Sequence, residues 1–492
     1  MRCSLCSLTA IALLFSITPI SAQGTAQDLS KSSPVVSVGA DAGYDSSSEN
    51  GAVGSIFFAL GLKSAYFDLG AKLSLQSNSK YAPAEANLPG KEFFGLYFLM
   101  EEGDLGFHAG PLALKAGRFA HYDVIDSPYS LFVNGMGQTA LLANLRYEDD
   151  FFFYETRWVE LNHRSAAVTA AWPQGYIDRG ANIKTYGFKL NPSMRLGFQD
   201  SAVYTGRNFD YEYFLSPIPQ YFLQYAKTNE GRPWTTGGNE GNMIGAFWDW
   251  ERSDGISLNA QVLMDDFNIH FIAPDTPWQP WKLAWTFGGR ARTSLGNFGF
   301  YHAGATKYTF EPISMKDPAN WEGKAYGYTY YPDTRFNYDD AGADLREISI
   351  EDNALGYIYG ENNIAFRGDW RNSLSGFDLM AALEFRLMGS NSPANPWQDS
   401  DYHPGDGSHL LDDAVLEKRF LASFDASRQF GNWRLGLMLK GGVAFDALEL
   451  REPTEGGTSD GDKYIWLYAP KKGNTIPIFR LTIGGSYAWK MR

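Results

Sequence analysis

The sequence is nearly free of cysteine, with only Cys3 and Cys6 among its 492 residues. A secreted scaffold held together by disulfide bonds is therefore excluded. Long apolar runs are missing too, because after residue 22 no stretch approaches the roughly 18 apolar residues that a membrane helix needs. The same pattern excludes a protein that crosses a membrane with helices.

Positive charge is also scarce. The chain has 42 Lys and Arg residues against 56 Asp and Glu residues, and its formal net charge is −14. A protein that binds nucleic acid needs a basic face, so this class of function is not expected.

The usual signatures of catalysis are absent. The sequence has no Gly-x-Ser-x-Gly motif, no Walker A motif and no dinucleotide-binding fingerprint in a strand–helix context. Its seven histidines are scattered without the spacing of metal ligands. Asp265 and Asp266 are adjacent at a predicted strand end, so they point to opposite faces and are poor acid/base partners. We predict no enzyme, no metal and no cofactor, although an active site assembled from distant strands stays open.

Residues 1–22 have the pattern of a secretory signal peptide. Arg2 supplies the positive charge, "LTAIALLFSI" is the short apolar core, and "ISA" offers small residues for cleavage before Gln23. The pattern predicts export, followed by a short periplasmic segment at 23–34.

Glycine and aromatic residues, in contrast, are plentiful, with 51 Gly, 34 Phe, 28 Tyr and 14 Trp. This composition favours strands and turns. In "NWRLGLMLKGGVAF" and again in "FRLTIGGSYAW", apolar residues alternate with polar or small ones. A period of two indicates β-strands with one apolar face.

Short turns and long polar segments alternate along the whole chain. Turns with suitable Gly, Asn, Asp or Pro residues are predicted at 62–64, 102–104, 148–150, 191–193, 253–255, 295–297, 372–376 and 429–432. Long segments are predicted at roughly 45–52, 78–90, 119–137, 163–181, 206–240, 266–280, 311–356, 390–414 and 447–475. The layout is typical of an outer-membrane β-barrel with short periplasmic turns and long extracellular loops.

We therefore predict an all-β protein in which residues 35–492 form a transmembrane antiparallel β-barrel of about eighteen strands. The last strand is expected to pair with the first, because an open edge is costly in lipid. Trp489 is expected in the aromatic girdle at the periplasmic interface.

Charged residues of the strands fall in the register opposite to the apolar one, which places them in the lumen. They can form salt-bridged networks that narrow the lumen or line a water-filled pore. The candidates for lining a solute path are Arg290, Arg292, Arg367, Arg434 and Arg480.

The predicted outer loops combine Trp and Tyr with carboxylates and amides, a pattern that suits sugar binding. The alternative is the ordinary aromatic belt and loop packing. The candidate glycan contacts are Trp234, Trp278, Trp281, Trp321, Tyr331, Trp397 and Tyr402.

The region from about 190 to 370 resembles a known family. Its distinctive stretches are "RLGFQDSAVYTGRNFDYEYFLSPIPQYFLQY", with Ser201, Tyr204 and Gly206, and "GNMIGAFWDWERSDGISLNAQVLMDDF", which ends in Asp265, Asp266 and Phe267. Farther on come "YHAGATKYTFEP" and "NALGYIYGENNIAFRGD". These stretches resemble the capsule-assembly Wzi family of outer-membrane proteins.

The resemblance implies a barrel of about eighteen strands that holds capsular polysaccharide at the cell surface without being an enzyme. The chain departs from the family in two places. "SPIP" stands where an Asn-Pro form is expected. The first strand also begins about ten residues after the predicted signal peptide, which leaves no room for the family's periplasmic helical plug.

Two functions follow from these observations. The preferred one is a non-enzymatic barrel in the outer membrane whose extracellular loops bind or anchor a surface polysaccharide. The alternative is a porin-like channel for small solutes through the charged lumen. In either case the expected partners are outer-membrane lipid and the barrel-assembly machinery, with polysaccharide added in the first case.

Overall fold

The computed structural model describes residues 34–47, 51–77, 92–93, 96–165, 175–229, 240–266, 280–311, 327–336, 346–394, 407–451 and 467–490. Within these ranges the chain forms 23 strands and three short helices. The strands are β1 (Val35–Asp45), β2 (Ala52–Lys63), β3 (Phe67–Gln76), β4 (Glu92–Phe93), β5 (Leu96–Ala109), β6 (Leu112–Ala120), β7 (Thr139–Glu148), β8 (Phe152–Asn162), β9 (Arg179–Asn191), β10 (Met194–Thr205), β11 (Glu240–Glu251), β12 (Ile256–Asp266), β13 (Lys282–Thr293), β14 (Gly296–Ala305), β15 (Arg335–Phe336), β16 (Arg346–Glu347), β17 (Asn363–Leu374), β18 (Phe377–Met388), β19 (Glu417–Phe430), β20 (Trp433–Phe445), β21 (Leu448–Arg451), β22 (Leu467–Pro470) and β23 (Thr475–Lys490). The helices are α1 (Tyr211–Leu215), α2 (Gln220–Asn229) and α3 (Ile350–Asn353).

Eighteen long strands form the wall of a closed antiparallel β-barrel. Neighbouring wall strands follow one another along the chain, and β23 pairs with β1 from Lys490 opposite Val35 to Arg480 opposite Asp45. The predicted all-β barrel of about eighteen strands is confirmed, together with closure between its first and last wall strands. In the described wall each strand therefore finds hydrogen-bond partners on both sides, as a bilayer requires. Outside the wall, β15 pairs with β16 and β21 with β22.

The hairpin turns lie at one end of the barrel and use backbone conformations that favour turn residues. Between β17 and β18, Ser375 and Gly376 have φ values of 52° and 80°, as a tight two-residue hairpin requires. At this same end, the ring of Trp489 packs near that of Tyr487, which in turn contacts Trp433. The aromatic cluster agrees with a girdle at the periplasmic interface.

One turn prediction is wrong. Residues 102–104 lie inside β5, and the chain turns instead at Gly110, where φ is 61°. The acidic run has the composition of a turn. Its carboxylates instead face the lumen, where they form ion pairs with lysines. Lys72 pairs with Glu101, and the Nζ atom of Lys115 lies 3.1 Å from Oδ1 of Asp104.

The two faces of the wall differ in chemistry, and β20 shows this clearly. Its outward residues include Trp433, Leu435, Leu437 and Leu439, all of them exposed. Exposed leucines at every second position suit lipid and would be unfavourable in water. No helix in the described part of the chain is long and apolar enough to span a membrane.

Residues 206–224, between β10 and β11, lie against the outer face of the wall, and we call them the outer strap. The hydroxyl of Thr156 on β8 donates to the Phe214 carbonyl oxygen (3.0 Å), and Nζ of Lys184 on β9 donates to that of Ile218 (2.6 Å). Thr156 and Lys184 belong to the outward register, because their chain neighbours Arg157 and Ile183 face the lumen. The outer strap includes α1 and the start of α2.

Candidate functional site: the lumen and its inward loops

Residues 121–138, between β6 and β7, turn into the lumen, and we call them the first inward loop. Asp123 fixes its shape, because its Oδ2 atom accepts hydrogen bonds from the backbone N–H groups of Phe132 (2.9 Å) and Val133 (3.1 Å). The same carboxylate accepts from the side chains of Gln199 on β10 (2.8 Å) and Gln261 on β12 (3.0 Å). One carboxylate thus ties the loop to itself and to the wall.

The first inward loop crosses the lumen. It leaves β6, yet the Tyr129 hydroxyl donates to Oε2 of Glu384 on β18 (3.0 Å), on the far side of the ring. The other oxygen of Glu384 accepts from the Tyr359 hydroxyl. Glu384 therefore holds two tyrosines from two different loops, and it faces Arg367 at 3.7 Å on the neighbouring strand.

Tyr359 belongs to a second inward loop, residues 306–362 between β14 and β17, which is described at 306–311, 327–336 and 346–362. The Tyr328 hydroxyl donates to the Phe132 carbonyl oxygen (2.7 Å), and the Asn134 N–H group donates to that of Leu355 (3.0 Å). The two loops therefore bond directly to each other. We call the described parts of both loops together the plug.

The plug has an apolar core of its own inside the barrel. Buried side chains of both loops pack against inward residues of β6 to β14, β17 and β18. Core members from the loops are Tyr129, Leu131, Phe132, Val133, Phe310, Tyr328, Ile350, Leu355, Tyr357, Ile358 and Tyr359. Burial of this many apolar side chains excludes water from that part of the lumen.

Two buried basic side chains hold the second inward loop. Arg179 on β9 is fully buried and donates through Nη2 to the carbonyl oxygens of Gly327 (2.8 Å) and Thr329 (3.0 Å). In the first inward loop, Nε2 of His121 lies 2.8 Å from the Tyr330 hydroxyl. Burial lowers the pKa of His121, aided by the positive charge of Arg157. The imidazole therefore acts as a neutral hydrogen-bonding group near neutral pH.

A charged network lies beside the plug at α3. Arg386 on β18 is buried, and its guanidinium lies 3.2 Å from Glu351 of α3 and 3.3 Å from Glu417 of β19. Arg419 joins Glu417 at 2.8 Å. Burial alone would raise the pKa of Glu351, but Arg386 and Arg419 hold it below its ordinary value. Glu351 is therefore ionised, and its ion pair with Arg386 attaches α3 to the wall.

The opposite part of the wall is different. In the described residues, the apolar core of the plug takes no member from β19, β20, β23, β1, β2, β3 or β5. Lys440 on β20 lies directly opposite Arg480 on β23, and Arg480 is 46% exposed, with Nε 3.6 Å from Oδ2 of Asp45. We call the inner face of these seven strands the charged crescent.

The five arginines proposed to line a solute path lie in the inward register but are not gathered in one place. Arg290 makes a two-pronged bond to Asp369 (3.0 and 3.3 Å), and Arg367 faces Glu384. Arg434 donates to the Ser427 hydroxyl at 3.1 Å. Arg292 is exposed near the short-turn end, and Arg480 belongs to the charged crescent. Their role in a solute path stays a prediction.

Of the predicted glycan contacts, two lie within the described residues. Trp281 is 42% exposed beside the long-loop end of β13. Tyr331 lies in the second inward loop, where its N–H group donates to Oδ1 of Asn353 at 2.7 Å. The others, Trp234, Trp278, Trp321, Trp397 and Tyr402, fall outside the described residues.

Around Trp281 the structure forms a small rim patch. The Trp281 N–H group donates to the Gly407 carbonyl oxygen at 2.8 Å, which joins this end of β13 to residues 407–412. Nδ1 of His409 lies 3.0 Å from Oδ2 of Asp412, and its ring packs on Tyr308. The exposed indole of Trp281 is suitable for stacking on a sugar, and the carboxylate of Asp412, on the segment bonded to the Trp281 backbone, can accept hydroxyl hydrogens.

The comparisons with known proteins support the fold. No protein-family model and no curated protein matches the chain. Among solved structures, it is similar to Wzi of Escherichia coli, described as an outer-membrane protein involved in group 1 capsule assembly and a carbohydrate-binding β-barrel. The TM-score is 0.51 at 10% identity, covering 94% of this chain and 85% of that one.

Two Pseudomonas aeruginosa structures are similar at a lower level. OccK8 (OprE) has a TM-score of 0.48 at 8% identity, covering 95% of this chain and 100% of that one. OprD has a TM-score of 0.45 at 10% identity, and the match covers 94% of both chains. At these identities the likeness concerns the fold alone. The chain has the fold of an outer-membrane β-barrel, and its membership of the Wzi family stays a prediction.

Proposed function

We propose that the protein is a non-enzymatic outer-membrane barrel whose extracellular end binds a surface polysaccharide. The observation that carries this proposal is the plug. It spans the lumen from β6 to Glu384 and encloses an apolar core, so solutes have no path through the part of the lumen that it fills. The extracellular surface is then the place where the barrel acts.

The rim patch supplies the described contact for a sugar. Trp281 is exposed at this end, and its backbone N–H group is bonded to Gly407, at the start of the segment that carries Asp412. The structurally similar Wzi is described as a carbohydrate-binding barrel. Outer-membrane lipid, the barrel-assembly machinery and an extracellular polysaccharide are the partners in this proposal.

The test is binding of polysaccharide, extracted from the surface of the producing strain, to the purified mature protein. Replacing both Trp278 and Trp281 with Ala should weaken binding about tenfold, equal to about 1.4 kcal/mol. Trp433→Phe, at the opposite end of the barrel, is the matched control and should bind normally. Unchanged binding by the double variant would remove the rim patch from the proposal.

A second candidate is a narrow channel for small charged solutes, which the charged crescent favours. Its cations and carboxylates lie outside the apolar core of the plug, and several are partly exposed. Single-channel conductance in a planar bilayer separates the two candidates. Stable open steps from the wild type would favour the channel, and silence from folded protein would favour the binding barrel.

A further inference from the structure

The outer strap covers polar side chains on a face of the wall that normally meets lipid. Outward residues of a membrane barrel are expected to be apolar. Under the outer strap, four outward residues of β8, β9 and β10 are polar and almost completely buried. They are Thr156, Asn182, Lys184 and Asp200.

The first role of this polar patch is to satisfy the strap backbone. The strap breaks between α1 and α2 at "SPIP", where two prolines have no N–H group and the carbonyl oxygens have no helical partner. The wall donates to these oxygens in turn: Thr156 to Phe214, Tyr154 to Ser216, Tyr186 to Pro217 and Lys184 to Ile218. Asp200 accepts the N–H group of Gln220.

Three atoms in this patch are left over. Oδ1 of Asp200, Oε1 of Gln220 and Nδ2 of Asn182 are buried and have no hydrogen-bond partner among the described residues. They belong to one connected group, because Nε2 of Gln220 donates to Oδ1 of Asn182 (2.7 Å) and its backbone N–H group donates to Asp200. Each of these buried groups has lost its hydration without gaining a hydrogen bond, which is unfavourable.

The identity of these atoms limits what can satisfy them. Two are acceptors and one is a donor. A phosphate group offers only acceptors, and an ammonium group offers only donors. A hydroxyl group both donates and accepts, so hydroxyls are the chemistry that suits the whole set.

The direction of approach is set by what surrounds the patch. Toward the long-loop end, the Trp158 side chain donates to the Asn208 carbonyl oxygen, and its ring packs on Phe209 at 5.1 Å. On the side facing away from the wall, the outer strap exposes apolar side chains, among them Leu215, Ile218 and Phe222. A ligand that reaches the patch from that side must carry apolar chains as well as hydroxyls.

We propose that Asn182, Asp200 and Gln220 form a lateral binding site for a saccharide hydroxyl of an outer-leaflet glycolipid. The acyl chains lie along the exposed apolar side of the outer strap, and the sugar head enters beneath its edge. This inference rests on the proposed function in that it extends saccharide binding to a lipid-linked form. The site is separate from the rim patch, and its failure can be recognised separately.

The test uses the mature protein in nanodiscs of phosphatidylethanolamine that contain a small fraction of lipopolysaccharide without O-chain. Lipids that remain bound after release are identified by native mass spectrometry. The wild type should retain lipopolysaccharide. Asp200→Asn, which keeps the volume and an oxygen for Gln220 but places a donor where an acceptor is needed, should reduce retention at least fivefold.

Phe300→Leu, an outward substitution on β14 away from the outer strap, is the matched control and should retain glycolipid like the wild type. Equal retention by Asp200→Asn and the wild type would overturn the proposal. Retention of phosphatidylethanolamine in place of lipopolysaccharide by the wild type would also overturn the proposal. So would retention of no lipid at all, which would indicate that water binds the three atoms.

Hydrogen exchange keeps the test decisive if Asp200→Asn does not fold. In the wild type, lipopolysaccharide should slow exchange of the strap amides around Gln220, and an unchanged rate would overturn the proposal. The rim variant with Ala at positions 278 and 281 separates the two proposals. It should lose polysaccharide and keep glycolipid, whereas Asp200→Asn should do the reverse.

Discussion

The first inward loop and the outer strap are both connections that fold back onto the barrel wall, one on each face. The first inward loop meets a wall face where polar side chains are expected, and Asp123 joins it to Gln199 and Gln261. The outer strap meets the face where apolar side chains are expected, and the wall has changed its chemistry there to receive it.

The difference shows what is needed to satisfy the backbone hydrogen-bonding groups of a loop on the lumen face and on the lipid face of the wall. Inside the barrel, a loop can use residues that the lumen register already makes polar, and an apolar core can form around it. On the lipid face, the wall must supply a donor for every carbonyl that the strap leaves unpaired, because lipid supplies none. The plug should therefore tolerate the loss of a single bond better than the outer strap does, except at Glu384, where two loops meet.

Glu384→Ala should have the largest effect. It leaves the buried hydroxyls of Tyr129 and Tyr359 without their acceptor, at a cost of about 1–3 kcal/mol each. The plug should open, and a barrel that is silent in planar bilayers should show frequent open steps. Asp378→Ala removes a carboxylate near the turn of the same strand and should stay silent. Silence from both variants would mean that Glu384 does not hold the plug closed.

Lys184→Met should have the next largest effect, confined to the outer face. The Ile218 carbonyl oxygen loses its donor, which should destabilise the docked strap by about 1–3 kcal/mol. Hydrogen exchange of residues 215–222 should speed up while conductance stays unchanged. Lys189→Met, at the short-turn end of the same strand, should leave strap exchange as it is. Equal exchange in both variants would contradict the role given to Lys184.

The smallest effect is expected from pH, acting on the two ends of the second inward loop. Burial, together with the neighbouring carboxyl of Glu361, raises the pKa of Glu311 well above its ordinary value of 4.5. Burial likewise raises the pKa of Glu361. Lys282 and Lys307 face the pair and oppose the shift, and Lys282 is itself paired with Asp265.

A raised pKa means that the folded loop binds protons more tightly than the unfolded chain. Its stabilisation is therefore complete below pH 4.5 and is lost as the pH rises through the raised pKa. The melting temperature of the wild type should fall by about 2 °C over that rise. In Glu311→Gln this fall should be smaller, and an identical pH profile would show that the pair does not titrate in this range.

The fold could be predicted because alternation and turn chemistry are local properties of the chain. The β20 pattern from Trp433 to Phe445 is visible in the letters themselves. The error at 102–104 arose because an acidic run has the same composition in a turn and in a lumen wall. Only the partners, Lys72 and Lys115, distinguish the two cases, and they come from other strands.

The plug could not be derived, because it depends on which loop enters the lumen. Because the sequence leaves no room for a helical plug, it does not decide whether the lumen is sealed. In the structure, the two inward loops fill much of the lumen. A signal was present in the first inward loop. "VIDSPYSLFV" is rich in apolar residues for a predicted extracellular segment, as is "FLSPIPQYFLQ" in the outer strap, which indicates burial rather than a solvated loop.

The outer strap left a different signal. Thr156, Lys184 and Asp200 break the outward apolar register of three consecutive strands, which is unusual in a lipid-facing wall. In the sequence, the stretch "LSPIPQYFLQY" is distinctive only through its resemblance to a family. The structure gives a physical reason for it, since Thr156, Lys184 and Asp200 on the wall each form a hydrogen bond with a particular backbone group of the outer strap.

The hydrogen bond from Tyr129 to Glu384 also has a mechanical consequence. A wide ring of strands resists stretching along its hydrogen bonds but flattens easily into an oval when neighbours press on it. The first inward loop runs across the lumen, joined covalently to β6 at one side and bonded to Glu384 of β18 at the other. We therefore expect this connection between opposite sides of the wall to resist flattening when neighbouring molecules press on the barrel.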